Sequence, residues 1–134
     1  MVWPHQFDFR IYYEDTDCGG VVYYANYLKY FERARTHCLE ACGVSVPAQL
    51  EEGTQFVVVR AELDCRSPAR YGDMLTIETT LPEVTGATLT FAHVIREKRS
   101  GRIVVVGAAK LAATDLSGKV KRLATDLVAR VRMQ

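Results

Sequence analysis

One long helical pattern stands in a chain otherwise written in strands. Tyr24, Tyr27, Leu28, Phe31, Ala34, Cys38 and Leu39 recur at helical spacing, with Lys29, Glu32, Arg33, Thr36 and Glu40 on the opposite side. The spacing predicts a helix from about Tyr23 to Cys42, with Gly43 as its left-handed stop. Before it, Phe7, Phe9 and Ile11 alternate with Asp8, Arg10 and Tyr12, which predicts a strand over 6–13. After it, Pro47 opens a connecting segment through Gly53, and strand patterns then follow one another closely.

From Val59 the alternation is clean: Val59, Ala61, Leu63 and Cys65 face one way, and Arg60, Glu62, Asp64 and Arg66 the other. That is a half-exposed strand. A turn at 67–72 leads to a strand at 74–81, a turn around Gly86 to another at 89–96, and the hairpin sequence R-S-G-R at 99–102 to a last strand at 103–114. This last strand is apolar almost throughout, broken only by Gly107 and Lys110, and suggests a central or doubly covered position. Residues 125–133 predict a short amphipathic C-terminal helix. Strands joined by short turns pair antiparallel, and so apolar a helix needs cover. The expected fold is α+β: five antiparallel strands wrapped around one central helix, as a single domain over residues 1–134.

Composition narrows the function. The net charge of +1 comes without a basic stripe interleaved with aromatics, which argues against nucleic acid. No apolar run reaches the roughly 18 residues that span a bilayer. The N-terminal stretch lacks the apolar centre of a signal peptide, so a cytoplasmic protein without membrane insertion is expected. The four cysteines form no C-x-x-C pair and only three histidines are present, which speaks against zinc.

The chemistry-bearing stretch is Y-Y-E-D-T-D-C-G-G-V-V-Y at 12–23, an acidic turn with two glycines between first strand and helix. A carboxylate beside unpaired N–H donors can attack or activate water while the donors polarise a carbonyl. It can equally be a helix cap. Other readings fit less well. A calcium loop would need an acid or amide where Gly19 stands and Glu where Asn26 stands. An aspartyl-phosphate motif lacks its final residue and its alternating βα units. Cys18 has no histidine near it in sequence to serve as base.

The pattern Asp15-x-Asp17-x-x-Gly20-x-Val22-x-Tyr24-x-x-Tyr27, followed by Phe31-Glu32-x-Ala34-Arg35, resembles the hotdog-fold acyl-CoA thioesterases. The similarity is greatest to the 4-hydroxybenzoyl-CoA and Tol-Pal-associated groups, and extends to A-R-Y-G-D-M-L at 69–75 and to the final strand. The resemblance implies hydrolysis of an acyl-CoA, short-chain or aromatic, to free acid and coenzyme A without cofactor or metal. It implies Asp17 as nucleophile or general base and the Tyr24 backbone N–H as the carbonyl-polarising donor. Gly20, Val22 and Tyr27 become candidate substrate contacts. It further implies a homodimer with edge-joined sheets, paired again into a homotetramer, and an active site at the dimer interface. Tyr24 departs from the histidine common in Tol-Pal-associated members and matches the hydroxybenzoyl group, which leaves the acyl preference open. The alternatives within the fold are a non-catalytic acyl-CoA-binding protein, which the intact Asp17 motif disfavours, and a hydratase, whose acid-paired histidine has no counterpart motif here.

Overall fold

The computed structural model describes residues 3–132. Five strands, β1 (His5–Arg10), β2 (Gln55–Cys65), β3 (Met74–Val84), β4 (Thr88–Glu97) and β5 (Ile103–Thr114), form one sheet in the order β1-β3-β4-β5-β2, with every neighbouring pair antiparallel. Three helices accompany it: α1 (Asn26–Ala41), α2 (Val46–Glu51) and α3 (Thr125–Arg132). This is the expected five-stranded α+β hotdog architecture. Met133, placed at the end of the C-terminal helix by the sequence pattern, lies outside the described residues.

The apolar face of α1 fills the sheet. Tyr27, Tyr30, Phe31, Ala34, Cys38 and Leu39 are buried, whereas Leu28, which shares the apolar spacing, is 41% exposed. Phe31 reaches both β4 and β5. Its ring stacks on His93 of β4 at 4.4 Å between centroids. Gly107 of β5, the register partner of His93, leaves room for it: a Cβ there would sit 2.5 Å from the Phe31 ring and 2.6 Å from the Glu62 carbonyl oxygen. His93 is fully buried, with Nδ1 2.9 Å from the Thr79 hydroxyl and no partner for Nε2. Burial, reinforced by the charge of Arg35, pushes its pKa down to about 3.

Four expectations are corrected. Helix α1 begins at Asn26 rather than Tyr23, because Tyr23–Ala25 form a separate turn leading into it. The segment after Gly43 is not plain connection but α2: the Ser45 hydroxyl accepts from the Ala48 N–H at 3.2 Å, and Pro47 sits in the first turn, where a missing N–H costs nothing. Strand β2 begins at Gln55, with an irregularity between Val58 and Arg60 that resets its period. It is also less buried than a half-exposed strand: Val57, Val58 and Val59 are 39%, 48% and 57% exposed, because β2 is an edge strand of this chain. Strand β5 is interior, between β4 and β2, as its apolar run suggests.

Gly107→Ala is expected to destabilise the protein by about 1–3 kcal/mol, the usual range for overpacking a tight core, as read from urea unfolding. His93 also makes stability pH-dependent. It stays neutral in the native state, whereas the unfolded chain takes up a proton near the ordinary value of 6.5. Stability is therefore lost as pH falls from about 6.5 toward about 3. By pH 4 the loss reaches roughly 3 kcal/mol. Chemical unfolding of wild type and His93→Gln at pH 7 and pH 4.5 should give a smaller acid-induced loss in the variant.

Candidate active site

The acidic turn lies between β1 and α1 and is closed by main-chain bonds. Asp17 N–H donates to the Val21 carbonyl at 2.9 Å, Gly20 N–H to the Asp17 carbonyl at 3.0 Å, and Thr16 and Val22 form an isolated bridge. Gly20 has φ +78°, the left-handed conformation that favours glycine. Gly19 serves differently: its N–H donates to Asp17 Oδ1 at 2.8 Å, and a Cβ on it would stand 3.2 Å from that same oxygen. The Asp17 side chain is thus held by one oxygen, is exposed to solvent, and keeps Oδ2 open.

Neither acid caps α1. The N-cap position is Ala25, with no side-chain cap bond. Asp15 instead turns its carboxylate back on the Tyr13–Asp15 3-10 turn, where Oδ2 accepts from the Tyr12 N–H at 2.8 Å. Its carbonyl accepts from Tyr23 N–H at 3.1 Å and from Asn26 Nδ2 at 2.8 Å. The turn over Tyr23–Ala25 already makes helix-like bonds: Asn26, Tyr27 and Leu28 donate to the carbonyls of Tyr23, Tyr24 and Ala25. Among the described residues, no acceptor is found for the N–H groups of Tyr24 and Ala25. They are the open donors at the positive end of α1.

The segment between β2 and β3 docks against this turn. Val21 and Arg70 form an isolated bridge, and Val22 N–H donates to the Ala69 carbonyl at 2.8 Å. Together they frame a cleft of about 330 Å3 lined by Val22, Tyr24, Tyr27, Cys65, Arg66, Ser67 and Pro68. Three of the five residues singled out from sequence, Val22, Tyr24 and Tyr27, therefore share one cleft, while Asp17 and Gly20 stand in the turn outside its lining. Val22 and Tyr27 are also core residues, 5% and 4% exposed; Tyr24 is 60% exposed. Burial pushes the Tyr27 phenol up to about 12, opposed by a hydrogen bond from the Ala69 backbone, so Tyr27 is a neutral wall rather than a base. Tyr30, below the turn, has a buried hydroxyl without a hydrogen-bond partner; burial first and the nearby Asp15 carboxylate second raise its pKa.

Sequence reasoning did not single out Cys65, Ser67 and Pro68 as cleft residues. Their only signal was the resemblance of 69–75 immediately beyond them. Arg66 lines the cleft while paired with Asp64 at 2.6 Å. The charged run at 96–99 is engaged elsewhere, with Arg96 on Glu78 at 2.7 Å and Lys98 on Asp8 at 2.6 Å. Among the described residues, no group of three or more His, Cys, Asp or Glu could hold a metal ion, and no helix is long and apolar enough to cross a membrane.

The hotdog sheet and the comparisons with known proteins put the chain among the thioester hydrolases. The chain belongs to the thioesterase-like superfamily, whose family model matches residues 12–131. It is 43% identical over 119 residues to the acyl-CoA thioesterase YbgC of Haemophilus influenzae, covering 88% of this chain and 85% of that protein. The acyl-CoA thioester hydrolase YbgC of an Escherichia coli strain is 43% identical over 91 residues, 68% of this chain and 65% of the relative. Among solved structures, a 1,4-dihydroxy-2-naphthoyl-CoA thioesterase from Synechocystis superposes with a TM-score of 0.89 over 95% of this chain and 94% of that one, at 20% identity, a likeness of fold.

Proposed function

We propose that the protein hydrolyses acyl-CoA thioesters, with short-chain or aromatic acyl groups, to free acid and coenzyme A. Asp17 supplies the attacking or basic carboxylate, and the Tyr24 N–H polarises the thioester carbonyl. The observation that carries this reading is the pairing of an exposed carboxylate with an open oxygen and an unpaired N–H at the start of α1, on two limbs of one closed loop. The catalytic relatives named above support the choice of acyl-CoA. A non-catalytic binding protein would have no use for a carboxylate left open in this way.

The chemistry divides as follows. In one course Asp17 Oδ2 attacks the thioester carbon, the C–S bond breaks, and coenzyme A leaves as the thiolate; water then cleaves the mixed anhydride. In the other, Asp17 takes a proton from the water that attacks. Both pass through an oxyanion, which the Tyr24 N–H and the positive end of α1 stabilise. Val22 and Tyr27 form the cleft wall, and Gly20 allows the turn that presents Asp17.

We further propose a homodimer through the β2 edges, paired again into a homotetramer, acting in the cytoplasm. An edge strand with three exposed valines is the kind of surface that proteins cover or charge. Four cysteines without a disulfide accord with a reducing compartment.

Asp17→Asn keeps the Oδ1 acceptor for Gly19 and removes the charge. In a panel of acyl-CoA thioesters assayed by thiol release, kcat should fall by about 10² to 10⁴, with binding and Tm little changed. Asp15→Asn should be milder, and chelator should leave activity unaltered. No turnover on any thioester by the wild type would favour the binding-protein reading, and near-full turnover by Asp17→Asn would sink the mechanism. Light scattering at micromolar concentration should show a dimer or tetramer that Val58→Lys shifts toward monomer. A wild type that is only monomeric would count against an interface site.

A further inference from the structure

Asp17 and Tyr24 are separated by seven positions in sequence, on two limbs that the Thr16–Val22 bridge ties backbone to backbone. One side chain carries that tie on to α1. Asn26, the first residue of α1 and half-buried, donates from Nδ2 to the Asp15 carbonyl at 2.8 Å, across eleven positions. Only the amide nitrogen of Asn can donate to a carbonyl, so the contact defines the amide's orientation. The backbone N–H of the same residue donates to the Tyr23 carbonyl at 2.9 Å. Asn26 thus grips both limbs of the loop. Asp15 stands two residues before Asp17, and Tyr24 two residues before Asn26.

The Asp15 limb is itself held. Its carboxylate bonds the Tyr12 N–H at 2.8 Å and its carbonyl also accepts from Tyr23 N–H at 3.1 Å, a longer bond than that from Asn26. The buried Tyr30 hydroxyl lies near the Asp15 carboxylate. On the far side, the Asp17–Val21 hairpin bond and the Val22–Ala69 bond secure the turn but do not connect it to the first turn of α1. That connection passes through the Asp15 carbonyl.

We propose that Asn26 is a positioning residue for thioester hydrolysis: its bond to the Asp15 carbonyl sets the separation between the Asp17 carboxylate and the Tyr24 N–H. The inference rests on the roles proposed above for those two groups. A base or nucleophile on one limb and an oxyanion donor on the other must serve the same carbonyl group, the first at its carbon, directly or through water, and the second at its oxygen. A displacement of about 1 Å between such groups costs on the order of 10²-fold in rate. Substrate binding depends on the cleft walls, which Asn26 does not join. Its loss therefore falls on kcat rather than KM.

The test uses Asn26→Asp, which keeps the shape and loses the donor, and Asn26→Ala, which loses the side chain but suits a helix start without strain. Each is measured alone and in the Asp17→Asn background, on the acyl-CoA that the wild type turns over fastest. Folded fraction and Tm are taken from circular dichroism. The expected result is a kcat lower by about 10- to 100-fold in both single variants, with KM within about two-fold and Tm little changed. In the Asp17→Asn background the same substitutions should cost almost nothing further, because a positioning residue has nothing left to position. An unchanged kcat per folded molecule, a loss of equal size in both backgrounds, or failure of both single variants to fold would each overturn the proposal. Wild-type activity in Asp17→Asn would instead overturn the reading beneath it; inactive Asp17→Asn with fully active Asn26 variants would overturn this inference alone.

Discussion

The contact of Phe31 with Gly107 and His93 decides where everything else can sit. A helix laid in the hollow of a sheet can slide or roll unless some side chain locks it. Here the lock is an aromatic ring pressed where β5 has no side chain, with an imidazole stacked on it. The lock needs a neutral, fully buried His93, whose Nδ1 is engaged by Thr79 and whose Nε2 has no partner. Leaving a buried polar nitrogen unsatisfied costs on the order of 1–3 kcal/mol. The flat ring face it offers to Phe31 offsets part of that. Phe31 lies five positions after Asn26, so fixing its ring on β5 also fixes the direction in which the first turn of α1 points.

Much of this was legible in the sequence because the period of each element survives folding. Strand β5 begins and ends where its apolar run does, and the Phe7, Phe9, Ile11 face of the first strand is the inward one. Legibility failed where a local signal competed with the period. Tyr24 fits helical spacing, yet residues 23–25 form a turn ahead of the helix, and Ala25 ends up as an uncapped N-cap. Pro47 alone signals a break, but with the cap residue Ser45 before it the combination announces a helix start. In β2, the irregularity after Val58 resets the alternation, so the first third of the strand lay out of phase with the rest.

The site divides in the same way. Its chemistry was legible: a carboxylate and glycines in one short turn carry their meaning wherever they are placed. The arrangement was not. Nothing local to Val21 reveals that it pairs with Arg70, or that Ala69 accepts the Val22 N–H, since both contacts depend on how the 66–73 turn returns to the sheet. The choice between cap and chemistry for the aspartates was also open until the structure gave each carboxylate a definite donor. Asp15 goes to Tyr12 and Asp17 to Gly19, and the N–H groups of Tyr24 and Ala25, just before α1, are left free. A capped helix would have spent those donors internally.

The free donors, the exposed Asp17 and the exposed β2 edge belong to one problem. An N–H and a carboxylate facing bulk water act through a high dielectric, where their pull on a developing oxyanion is weak. Hydrolysis through these groups requires a wall that excludes solvent while admitting one water. The single chain supplies part of that wall in Val22, Tyr27 and Pro68, and leaves Tyr24 60% exposed beside it. The missing wall and the unpaired strand edge would be answered by one event, the arrival of a second copy. On the proposed assembly, the apolar surface of Val57–Val59 that favours association and the electrostatics that favour catalysis are two consequences of the same interface, and a chain held monomeric would be expected to bind thioesters poorly and hydrolyse them slowly.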